Sequence, residues 1–112
     1  MADYREILTG TIVDEATGAP LAGATVEVYD KDLLHSDHLG TETTDARGRF
    51  RATFGWADYK DAFFEGRPDI FIKVTRADGG GSWKSDVFSE LKGKMVDDDT
   101  ELMDLGTLKV GA

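Results

Sequence analysis

The chain has 112 residues, 22 acidic side chains against 13 basic ones, a net charge of -9 and no cysteine. That length suits one domain. The acidity argues against nucleic acid and against an anionic membrane surface as partners, since both require a cationic footprint, and the lack of cysteine removes disulfides, thiolate metal sites and thiol nucleophiles.

The opening residues MADYREILTG lack the basic and apolar regions of a signal peptide. No run approaches the roughly 20 apolar residues of a membrane span. A soluble, cytoplasmic protein is the expectation, with secretion left open if a leader has been removed.

Residues 7–14 are rich in Ile, Val and Thr and read as a strand, which Gly18 and Pro20 in DEATGAPL then break. In TVEVYD, Val26 and Val28 point one way and Glu27 and Tyr29 the other, the pattern of a half-buried strand. Residues 40–45 form a Thr-rich strand. DARG follows, with Asp45 to begin a turn and Gly48 to take the positive φ of a bulged hairpin.

RFRATF then places Phe50, Ala52 and Phe54 inward, and a slip of one residue would expose both phenylalanines. WADYKDAFFEGRP changes period. Trp56, Tyr59 and Phe63 recur at helical spacing, predicting one short helix near residues 56–65, ended by Gly66 and Pro68 and lying over one end of the fold. DIFIKV predicts a strand with Ile70, Ile72 and Val74 inward, and ADGGGS a flexible connection. Residues 83–95 stay open, WKSDVF reading as a candidate strand. DDDTE reads as solvated, and LGTLKV as a last short strand. About seven strands result, an all-β sandwich in one domain spanning residues 1–112.

GTIVDEATGAPLAGATVEVYD, LGTETTDARGRFRATF and RPDIFIKV together resemble the transthyretin-like and carboxypeptidase regulatory-like domains over residues 7–75. The resemblance implies a prealbumin-type Greek-key β-sandwich. The shared motifs are turn and hairpin chemistry and carry no activity.

Enzymes resembling this fold can be tested residue by residue. Hydroxyisourate hydrolases carry an N-terminal histidine segment and end in Tyr-Arg-Gly-Ser, where this chain has EILTG and GTLKVGA. Intradiol dioxygenases hold iron with two tyrosines and two histidines, whereas here His35 and His38 lie in a polar loop and Tyr4, Tyr29 and Tyr59 are scattered. Self-crosslinking surface domains need a lysine early in the first strand, but no lysine precedes Lys31 and the chain has no asparagine. No Gly-x-Ser-x-Gly elbow occurs, and Gly79–Gly81 lacks the Lys-Ser/Thr of a phosphate loop.

Three constellations carry candidate binding chemistry. Asp30, Asp32 and Asp37, with Asp45 as a fourth donor, could gather oxygens around Ca²⁺, although the spacing lacks EF-hand regularity and a solvated acidic loop has the same composition. His35 and His38 could hold zinc from adjacent turns with Asp37 or Asp32, if that loop is helical. Trp56, Tyr59, Phe63, Phe64 and Trp83 could form a sugar-stacking or docking patch, or complete the core. Phe63 and Phe64 are adjacent, so one helix face cannot bury both. One of them, or Phe71 on the outward side of its strand, is expected at an interface. The reading is a non-catalytic interaction module that binds another protein or a second copy of itself. A calcium-dependent or carbohydrate-binding accessory domain is the alternative.

Overall fold

A computed structural model describes residues 5–31, 36–55, 69–89, 93–98 and 100–111. They form eight strands in two four-stranded sheets: β1 (Arg5–Asp14), β2 (Thr25–Lys31), β3 (Ser36–Thr43), β4 (Arg49–Gly55), β5 (Ile70–Thr75), β6 (Ser82–Lys84), β7 (Lys94–Asp97) and β8 (Thr100–Val110). One sheet has the order β4-β1-β8-β7, the other β3-β2-β5-β6. The architecture is a transthyretin-like β-sandwich, as the sequence implies. No helix occurs among the described residues, and the helix expected near residues 56–65 lies outside them.

The alternation read from the sequence closes the two layers over one core. Leu8, Ile12, Phe50, Phe54 and Met103 from the first sheet meet Val26, Val28, Ile70, Ile72 and Val74 from the second, all buried. Each such side chain contributes roughly 1.5–3 kcal/mol by leaving water. Register fixes the inward set. Leu8 pairs with Ala52 and Gly10 with Phe50 across β1 and β4, while Val26 pairs with Val74 and Val28 with Ile72 across β2 and β5. A hydrogen at Gly10 is what the core requires, because a Cβ there would sit 2.7 Å from the Phe50 ring.

Two expectations change. The stretch left open at residues 83–95 supplies β6 and the start of β7, and the last strand begins at Thr100 rather than at Leu105. DDDTE is therefore not wholly solvated: Thr100 and Glu101 are buried, and Glu101 lies beside the buried Glu6 in the parallel β1–β8 register. β8, although last in the chain, runs between β1 and β7, parallel to the first and antiparallel to the second.

One end of the sandwich is tied by turn chemistry. Asp45 Oδ1 accepts the backbone N–H groups of Arg47 and Arg49 at 2.8 and 3.0 Å. Gly48 then takes φ 76° and its carbonyl accepts the Ile12 N–H at 2.7 Å. Any Cβ at Gly48 would overlap the Ile12 carbonyl oxygen. The buried Thr44 hydroxyl accepts the Ala24 N–H at 2.8 Å and donates to the Leu21 carbonyl at 2.6 Å. Arg76, just past β5, joins the two sheets: its guanidinium meets Asp14 and Asp78 at 2.9 Å each and donates to the Val110 carbonyl at 3.3 Å.

Candidate functional site

The outward face of β3-β2-β5-β6 gathers side chains that strand alternation sends away from the core. Tyr29 stands directly opposite Phe71 on β5 and His38 on β3. The Tyr29 and Phe71 rings stack with centroids 5.1 Å apart and planes 7° from parallel. His38 meets Tyr29 edge-on at 5.3 Å. Two lysines complete the cluster. Lys73 Nζ lies 5.0 Å from the Tyr29 ring centre and Lys84 Nζ 4.6 Å from that of Phe71, both within cation–π range.

Hydrogen bonds hold the cluster in place. Tyr29 Oη donates to Glu27 Oε2 at 2.6 Å, and that bond, helped by burial, raises the phenol above its ordinary value. His38 Nε2 and Thr41 Oγ1 are 2.8 Å apart. Beside the rings, Glu27, Lys73, Thr75, Ser82, Trp83 and Lys84 line an open cleft of about 380 Å³. A second cleft of about 600 Å³ lies along β1, β3 and β4, where Arg49 and Arg51 face Glu42, Asp45 and Asp104. Its charges are mixed, and Asp104 is already engaged by the Thr9 hydroxyl at 3.1 Å.

Among the described residues the four aspartates of the expected calcium set are not all brought together. Asp30 and Asp37 do face each other across β2 and β3. Asp45 belongs to the other end of β3, roughly 25 Å of extended chain from Asp37, and its carboxylate serves the Arg49 and Arg47 amides, which lower its pKa. Asp32 lies outside the described residues. Among the described residues no three His, Asp or Glu side chains converge as a metal requires. The histidine pair is half visible: His38 is in a strand rather than a helix, and His35 lies outside the described residues. Of the iron-ligand types sought, Tyr29 and His38 are neighbours, with their polar atoms engaged by Glu27 and Thr41, while Tyr4 and Tyr59 lie outside the described residues.

Of the expected interface aromatics, Trp56, Phe63 and Phe64 lie outside the described residues, as does Tyr59. Phe71 does point outward, but it is not exposed: 4% of its surface meets solvent, with Tyr29 on its face and Lys84 above it. Trp83 turns inward and packs against the core. The exposed large apolar side chains among the described residues are Met95 at 49% and Val96 at 52%, both on the edge strand β7. The sequence reading missed them because KMVD is short and shows no alternation. It also missed the lysine pair, which ten intervening positions separate until β5 and β6 bring Lys73 opposite Lys84. The available signal was that both lysines occupy outward positions in IFIKVT and SWK.

No family model and no curated protein matches the chain. Solved structures do. A 9R-lipoxygenase from Cyanothece PCC8801 superposes with TM-score 0.61 and 29% identity over 93% of this chain and 16% of its own. A chlorocatechol 1,2-dioxygenase from Pseudomonas putida gives 0.59 and 16%, covering 96% of this chain and 61% of the enzyme. Transthyretin from Sparus aurata gives 0.53 and 14%, covering 94% and 90%. The chain thus spans a small part of the lipoxygenase and under two thirds of the dioxygenase. The likeness to the dioxygenase and to transthyretin is one of fold.

Proposed function

We propose that the chain is a non-catalytic interaction module that associates with a second copy of itself through the outer edge of β7. The exposure of Met95 and Val96 on that edge carries this reading. An edge strand can be extended by a strand of another chain, and large apolar side chains there lower the cost of covering it. The sequence of the edge is self-complementary. Antiparallel pairing of Lys94–Asp97 with its own copy sets Lys94 opposite Asp97 and Met95 opposite Val96, matching charge with opposite charge and apolar with apolar. A closed two-fold dimer follows from that geometry.

The comparison with the lipoxygenase supports a modular role, since a sandwich 29% identical to this chain makes up 16% of a much larger protein. Four residues of strand bury far less than the roughly 1,200 Å² of a stable interface. The dimer is accordingly weak, with Kd on the order of 100 μM. Sedimentation velocity from 10 μM to 1 mM checks this. The native chain should shift toward dimer across the series, and Met95→Lys combined with Val96→Lys should keep it monomeric. A chain that stays monomeric at 1 mM, or a double variant that dimerises equally well, defeats the reading.

A further inference from the structure

We infer that the outer face of β2, β5 and β6 binds a small dianion between Lys73 and Lys84, a site independent of the β7 edge. The two lysines stand directly opposite each other in the antiparallel β5–β6 pair, where like charges repel and destabilise. Among the described residues neither ammonium lies within ion-pair distance of a carboxylate, although acidic side chains outnumber basic ones 22 to 13. Both side chains instead lean over the stacked Tyr29–Phe71 pair, at 5.0 and 4.6 Å. The ring faces hold the ammoniums in place without neutralising them, and leave their outer N–H donors unused.

The charge on this face runs against the charge of the chain. Within β2, β5 and β6, Lys31, Lys73 and Lys84 point outward by alternation with Glu27 as the one outward carboxylate of these strands, and Asp69 stands opposite Lys31 just before β5. Glu27 is held by the Tyr29 hydroxyl at 2.6 Å rather than by Lys73, its partner in register. The cleft beside the lysines, about 380 Å³, is at the small end of ligand-binding clefts, and Thr75 and Ser82 line it with hydroxyls. Two point charges and two hydroxyl donors match a compact group carrying two negative charges. Phosphate and small dicarboxylates share that chemistry.

The test is an amide-resolved NMR titration of the full chain in low-salt buffer free of oxyanions, with inorganic phosphate in one arm and succinate in the other. Saturable shifts confined to Lys73, Ser82, Trp83 and Lys84 are expected in at least one arm, and the arm that saturates identifies the source. Lys73→Met with Lys84→Met should weaken binding at least tenfold. Glu27→Gln keeps the acceptor for Tyr29 and removes the opposing charge, so it should tighten binding several-fold, while Lys109→Met, exposed on β8 of the other sheet, should leave the midpoint unchanged. Linear, unsaturated shifts in both arms, or an unchanged midpoint in the double lysine variant, would overturn the inference.

Discussion

Arg76 and the Lys73–Lys84 pair carry the same charge, and Arg76 follows the very strand that bears Lys73, yet they are treated in opposite ways. The guanidinium is sandwiched by Asp14 and Asp78 and touches the Val110 carbonyl, so that one side chain ties β1, the end of β5 and β8 together. The two ammoniums have aromatic rings beneath them and no carboxylate partner among the described residues. A planar fork satisfied on all sides is part of the scaffold, whereas a flexible point charge kept without a counter-ion is available to something else. The closed end and the lysine face therefore divide the molecule into a part that holds its shape and a part that is free to bind.

Substitutions at the two places should separate the roles. Gly48→Val strikes the closed end hardest, because the side chain needs a left-handed backbone and would overlap the Ile12 carbonyl. A loss of about 3 kcal/mol in urea unfolding is expected; a loss under about 1 kcal/mol would mean that this end is not the rigid part.

Arg76→Met comes next, and its effect depends on pH. Arg76, followed by the Gly80 amide, holds the Asp78 carboxyl down at about 2, and Arg76 with Thr17 also lowers Asp14, both from an ordinary value of 3.8. A carboxylate with a depressed native pKa contributes stability above its unfolded value and loses it as pH falls through the native one. The variant should melt several degrees below the native chain at pH 7, and the gap should close between pH 4 and pH 2. A gap that persists at pH 2 would assign the effect to lost packing of the arginine stem.

The smallest effect is expected at the other pole of the comparison. Lys73→Met with Lys84→Met removes two exposed cation–π contacts and one like-charge repulsion. Stability should change by less than about 1 kcal/mol in the same urea unfolding experiment. A large loss there would make the lysines scaffold and erase the distinction from Arg76.

The parts of the fold legible in the sequence are those where one physical rule acts alone. Phe50, Ala52 and Phe54, and likewise Ile70, Ile72 and Val74, alternate cleanly because each strand has one wet side, and Gly48 was readable because its turn demands a positive φ. Where two rules compete, local pattern does not decide between them. Asp45 has the composition of a metal ligand and the position of a turn cap, and the backbone amides claim it. Glu101 sits in an acidic run yet faces inward from β8, where the Gly93 N–H reaches its carboxylate at 3.0 Å. Phe71 was correctly placed on the outward side, but whether an outward ring is exposed depends on cross-strand neighbours. The lysine pair is invisible for the same reason, since opposition across β5 and β6 is a property of register and not of local pattern.

The position of β8 bears on how the molecule is made. It is synthesised after the seven other strands, but it occupies the middle of its sheet, with β1 on one flank and β7 on the other. Until β8 docks, β3, β2, β5 and β6 can already zip into a complete layer, whereas β1 has β4 on one side and an open edge on the other. A chain in which β8 has not docked presents β1 as a sticky ribbon, so the docking of β8 is the step that protects this sheet from pairing with other chains.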